Sequence, residues 1–129
     1  MALTELRRIE KLFSRLIAAP AKSFPLPRQT LMAPPTQGVY VIYSPRGRVL
    51  HVGMTPKARG GVAQRLKDHM AANSSFTQTY LKGQGHILRG SHSFRCLSVP
   101  NRRSRALLEA YAIGHLCPAH IGHSVKLLP

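Results

Sequence analysis

A few side chains in this sequence carry chemistry: the phenol of Tyr40, the imidazoles of His51 and His69, the guanidinium of Arg65 and the carboxylate of Glu109. Arg65 and His69 stand one helical turn apart and so share a face. From Gly38 onward, Asp68 and Glu109 are the only carboxylate side chains. A phenol with a pKa near 10 is a poor base unless cationic neighbours lower that value, and the basic surroundings here are expected to help Tyr40. Imidazoles exchange protons near neutrality. Each residue also has a bland reading. Glu109 can pair with Arg105 across one turn, which would contribute only about 0.3 kcal/mol. Arg65, Asp68 and His69 can form a solvated helix face, and strand tyrosines such as Tyr43 usually serve packing.

The charge balance narrows the partner. The chain has 129 residues, with 19 Lys+Arg against 4 Asp+Glu, a formal net charge of +15 and a pI near 11.4. Such a balance points to a polyanion. DNA is the expected partner and RNA the second candidate. The length suits one domain with a single core. Cys96 and Cys117 are too few for a disulfide framework and lack C-x-x-C spacing, so a reduced, cytoplasmic setting is expected. No apolar run has the length of a membrane span, so no membrane partner is expected. Glu5 and Glu10 argue against an organelle presequence.

Hydrophobic periodicity sets out the elements that must position these groups. Leu6, Ile9, Phe13, Leu16 and Ile17 recur at helical spacing, with Thr4 as a candidate N-cap and Pro20 as the stop, giving an amphipathic helix over residues 1–19. That helix docks on the body, contacts a partner protein, or joins a second copy of the chain. Residues 20–36 hold five prolines (Pro20, Pro25, Pro27, Pro34 and Pro35) and read as an extended connector. The domain proper spans 37–123, followed by a tail at 124–129. Within it, Val39–Tyr43 and Arg48–Val52 flank the turn Ser44-Pro45-Arg46-Gly47 and predict a β-hairpin. After Gly60-Gly61, Val62, Leu66 and Met70 form the stripe of a helix ending near Asn73. A loop surrounds Gly83–Gly90, and Ser93–Val99 alternates as a third strand with Ser93, Arg95 and Leu97 on its exposed face. Asn101 then caps a helix to about Leu116, stopped at Cys117-Pro118. The result is an α+β domain: a small three-stranded antiparallel sheet flanked by helices, in the order β-β-α-β-α.

Gly38-Val39-Tyr40 opening the first strand of the hairpin and His51-Val52-Gly53 closing the second resemble the two tripeptides of the GIY-YIG nuclease superfamily. The order that follows strengthens the resemblance: Arg65 and His69 on one helix, Glu109 on the last, then Pro118. It covers residues 37–122. The resemblance implies a metal-dependent endonuclease, with Tyr40 and His51 around the attacking water and Arg65 and His69 around the phosphate. It implies that Glu109 holds Mg2+ (or Mn2+). Such an assignment meets the demands of phosphodiester hydrolysis, which needs an activated water, charge neutralisation on the phosphoryl oxygens, and help for the leaving oxygen. Magnesium takes few protein carboxylates and keeps several waters, so one Glu is chemically sufficient.

Two positions depart from the family pattern. His51 replaces the usual tyrosine and is expected to act as a better base at neutral pH than a phenol. Ile121 stands where the family often has an asparagine, with His120 or His123 as candidate compensation. The tail also permits a zinc reading from His115, Cys117, His120 and His123, at a spacing that matches no common module. Candidate phosphate contacts are Arg46 and Arg48 at the hairpin, Lys57 and Arg59 before the helix, Lys82 and Arg89 in the loop, and Arg102, Arg103 and Arg105. The rival to an enzyme is a noncatalytic nucleic-acid-binding module that keeps the fold.

Overall fold

The computed structural model describes residues 2–56 and 59–122, without the side chains of Ala2 and Leu3. Lys57, His123 and the 124–129 tail lie outside the described residues. The chain forms α1 (Ala2–Ala18), β1 (Lys22–Ser23), β2 (Gly38–Tyr43), β3 (Val49–Met54), α2 (Gly61–Met70), β4 (Ser93–Ser98) and α3 (Arg102–Leu116). The fold is α+β, with one antiparallel sheet. That sheet has four strands rather than the expected three, in the order β1-β4-β2-β3. The addition comes from the proline-rich connector, where Lys22 and Ser23 fall between Pro20 and Pro25 and are free to pair with Phe94 and Ser93.

β2 is central and entirely buried, so its alternation serves two covered faces instead of one covered and one wet. Tyr40 and Ile42 pack with Leu50, Leu66, Phe76, Leu88 and Phe94 on one face. Val39, Val41 and Tyr43 pack with Ile9, Phe13, Leu16 and Leu108 on the other. The leading helix therefore docks on the body, its apolar stripe filling the core beside α3. α1 begins before Thr4, which lies in its first turn and not at its cap. Its docking also overturns the exposed face expected of β4. Arg95 donates to the Ala19 carbonyl at 2.9 Å with its guanidinium over the Tyr43 ring, and Ser93 and Leu97 are half-buried.

Capping residues explain where α2 and α3 begin. Asn101 accepts from the Ser104 N–H at 2.9 Å, the expected N-cap of α3. Gly60, the N-cap of α2, and Gly61, its first residue, take φ of 83° and 54°, a left-handed turn that a side chain would strain. α2 stops at Met70, short of the expected Asn73, and the next stretch coils into a π-helical turn (Phe76–Tyr80) and a 3-10 turn (Gly85–Leu88) where a plain loop is expected. Phe76, Leu81 and Leu88 are pulled into the core there, giving these turns their anchors.

Candidate active site

The register brings the first two candidates together. Tyr40 pairs with Gly53, and the Tyr40 ring lies across that glycine, so any Cβ at position 53 would collide with the phenol. α2 packs over the same face and drives His69 into the core, where it has no exposed surface. The Tyr40 hydroxyl and His69 Nε2 are 2.7 Å apart. A solvated face for Arg65, Asp68 and His69 is thereby excluded at its histidine.

His69 is oriented from behind. Its Nδ1 lies 2.7 Å from Ser74 Oγ, which lies 2.9 Å from Thr77 Oγ1. The Thr77 hydroxyl donates to the Ser74 carbonyl at 3.1 Å, so the Ser74 hydroxyl donates to Thr77 and its oxygen accepts Nδ1–H. Nε2 is then the bare nitrogen, and Tyr40 donates to it. Ser74 and Thr77 were not legible in the sequence, where nothing marks two hydroxyls in a turn as supports of a histidine.

Burial decides the protonation states. The Tyr40 phenol is pushed up to about 12 because desolvation outweighs the attraction of the nearby Arg65 guanidinium. The basic surroundings therefore do not produce a resident phenolate. His69 falls well below its ordinary value through burial and the like charge of neighbouring His51 and Arg65, and stays neutral. His51 drops to about 3 for the same reason, with His120 and Arg65 adding to the burial. A group so hard to protonate is a poor base at neutral pH, which corrects the expectation placed on His51. Its Nδ1 lies 3.1 Å from His120 Nδ1, and its ring stacks on Phe76 at 4.8 Å between centroids. His51 thus acts as a neutral wall of the site, and His120 is its support.

Glu109 reaches the site from the opposite side of the sheet. Burial raises its carboxyl, and the Met54 backbone N–H partly offsets the rise by donating to it. The alternating register explains why that N–H is free: Gly38 bonds to Thr55, so Met54 turns its backbone away from β2 and outward. The Arg105–Glu109 pair does not form. Arg105 is buried and donates instead to the carbonyls of Thr55, Pro56, Val99 and Pro100 at 2.8–3.1 Å. It clamps the ends of β3 and β4 to α3 and is no phosphate contact.

Tyr40, His51, Gly53, Arg65, His69 and Glu109 together line a cleft of about 140 Å3 at the β3 edge. Gly122 also reaches it, while apolar Ile121 does not line it and His120 is turned to His51, so no polar side chain at those two positions enters the cleft in place of the absent asparagine. Arg65 spends one nitrogen on Asp68 at 3.2 Å, but its buried Nε–H has no acceptor among the described residues. Glu109 belongs to no ion pair among the described residues. The cleft thus presents an unfilled cationic donor and an unpaired carboxylate within one small volume.

The wider set of basic residues divides. Arg46, Arg48, Arg59, Lys82 and Arg102 are exposed. Arg89 donates to the carbonyls of Leu26 and Gln29 and holds the connector, and Arg103 pairs with Glu5 of α1 at 2.7 Å. Both have partners within the chain where free side chains are expected, although Arg103 stays largely exposed. The zinc set also separates: His115 packs on Phe13 and Tyr111, whereas His120 faces His51. Among the described residues no three His, Cys, Asp or Glu side chains gather as a metal site. Neither the family models nor the curated proteins compared with this chain match it.

Proposed function

We propose that this chain is a metal-dependent endonuclease of the GIY-YIG kind, hydrolysing phosphodiester bonds in DNA that is branched or otherwise structured. The observation that carries the reading is the convergence of Tyr40, His51, Arg65, His69 and Glu109, from four separate elements, on one cleft. Glu109 would hold Mg2+ or Mn2+, and its lone oxygen ligand fits a hard ion that keeps water and phosphate oxygens as its other ligands. When bound, such an ion supplies charge neutralisation at the phosphate and acidifies water.

The chain's own residues supply the rest. Arg65, half-buried in the cleft wall, turns its guanidinium to a phosphoryl oxygen gaining charge. Tyr40 keeps its proton in the hydrogen bond to His69 Nε2 and offers its oxygen lone pairs to the attacking water, which it aligns; the high phenol pKa and the neutral imidazole both suit this orienting role. Neutral His69 fixes the direction of that hydroxyl, and Ser74 holds its ring in place. His51 excludes water behind the Tyr40–His69 pair and does not titrate in the working range.

A plasmid-nicking assay with Mg2+, with chelator, and with Glu109→Ala tests the reading, on structured DNA and RNA as well as duplex. Equal cleavage in all three conditions rejects the metal mechanism. A binding-only module is the second reading, favoured by the buried Tyr40 phenol, the neutral His51 and the apolar Ile121. Tight binding with no cleavage of any substrate would establish it.

A further inference from the structure

The chain treats the two outer edges of its sheet differently. Along β3, the Val49 and Leu50 carbonyls accept from Ala119 and His120, so the segment after α3 covers that edge. Along β4 the cover is two residues long, Lys22 on Phe94 and Ser23 on Ser93, extended by Phe24 N–H to the His92 carbonyl. In the other direction the chain turns into Pro20, which has no N–H to offer.

The register identifies what is left open. Val99 N–H donates to the Gln37 carbonyl, so Ser93, Arg95 and Leu97 turn their backbone groups toward β2, and Phe94, Cys96 and Ser98 turn theirs outward. Phe94 pairs with Lys22. The outward groups of Cys96 and Ser98 have no backbone partner among the described residues. They border a groove of about 610 Å3, between Ala19 and Pro20 at the end of α1 and Met32 and Pro34 of the connector. That volume lies inside the roughly 300–1,000 Å3 range of ligand sites. Arg15 and Lys22 stand on its rim, exposed and without an acidic partner among the described residues.

We propose that this groove takes an extended, acidic segment of a partner protein, which adds as a further strand to the outer edge of β4. Unpaired main-chain groups supply affinity by strand addition, and alternate side chains enter the apolar lining. Charge selects the occupant. A second copy of the chain would bring another +15 to the same edge. Nucleic acid would match the rim but not the apolar lining or the strand edge.

The probe is a fluorescein-labelled peptide of alternating glutamate and valine, titrated by anisotropy against the full chain. Ser98→Pro removes an outward N–H while sparing the bonds to β2, and Ser98→Ala controls for the hydroxyl, which contacts Thr36 at 2.6 Å. Binding about tenfold weaker for Ser98→Pro, and near normal for Ser98→Ala, is expected. A peptide N-methylated at alternate residues should bind equally poorly, and the Lys22→Glu variant should also weaken binding. Bound peptide should slow alkylation of Cys96 in the groove, with exposed Cys117 as reference. Circular dichroism confirms that each variant is folded. Absence of binding, or binding indifferent to both N-methylation and Ser98→Pro, overturns the proposal. Protection of Cys96 by self-association or by duplex DNA in place of the peptide also overturns it.

Discussion

The Tyr40 hydroxyl meets His69 Nε2 at 2.7 Å, although 29 positions separate the two residues in the chain. The contact joins the central strand to α2, and the Ser74–Thr77 hydroxyl pair behind His69 fixes which imidazole nitrogen faces the phenol. Tyr40→Phe keeps the ring over Gly53 and removes the oxygen. Cleavage is expected to fall by about a hundredfold, the usual loss when an attacking group is misplaced. Stability should fall by about 1–3 kcal/mol because His69 Nε2 is left buried without a donor. Nicking rates and urea unfolding read the two effects separately, and unchanged cleavage would remove Tyr40 from the mechanism.

Glu109→Gln retains the shape of the side chain and an oxygen for the Met54 N–H, but loses the negative charge. The variant is expected to fold normally, to bind DNA at least as tightly as the parent, and to cleave about a hundredfold or more slowly in Mg2+. Higher metal concentration should restore part of the rate if the carboxylate serves as ligand. Rate measurements across a magnesium titration decide this.

Two neutral imidazoles in the core give the protein an acid-sensitive stability. His51 and His69 have folded-state pKa values depressed below the ordinary value of 6.5. The unfolded chain therefore binds more protons as pH falls below that value. Their contribution is fully present above about pH 6.5 and declines as pH drops, by up to about 1.4 kcal/mol per pH unit for each. For His51 the decline runs toward about pH 3. The raised carboxyl of Glu109 acts in the opposite sense near its own range but is one group against two. Thermal melts from pH 7.5 to 4 should show the loss, and His51→Phe should flatten the slope.

Gly53→Ala tests the close approach beneath the phenol. The added methyl has no room beside the Tyr40 ring, and overpacking of this kind costs about 1–3 kcal/mol. Activity should fall further than stability alone explains, because the ring that must move carries the oxygen that aligns the water. A melt together with an assay at a temperature where the variant is fully folded separates the two losses.

The arginines make opposite predictions by position. Arg105→Met leaves four carbonyls without their donor and is expected to destabilise by about 3 kcal/mol or more, with little direct effect on affinity. Replacing exposed Arg46 and Arg48 with alanine should leave the melting temperature unchanged, weaken DNA binding, and lower the slope of log affinity against log salt by about 2. Filter binding at several salt concentrations measures that slope, and a salt-independent affinity would count against the nucleic-acid reading.

The sequence by itself determined the order of elements and the charge. Alternation in Val39–Tyr43, the helical stripe of Val62, Leu66 and Met70, and the Asn101 cap are local signals whose physics acts over a few residues. The order of the candidate residues is local information too, since a glycine two places before a tyrosine, an arginine one turn before a histidine, and a lone glutamate are all visible in one dimension. Tertiary structure decided what these groups are. Burial, a property of the whole packing, kept Tyr40 protonated and His51 and His69 neutral, against a reading based on the charge of the surroundings. Long-range contacts assigned Arg89, Arg103 and Arg105 to structural partners, and the pairing of Lys22 with Phe94 added a strand from a segment whose prolines mark it as connector. Neither desolvation nor register can be read from neighbours along the chain, because both depend on which distant residues close over a side chain or complete a ladder.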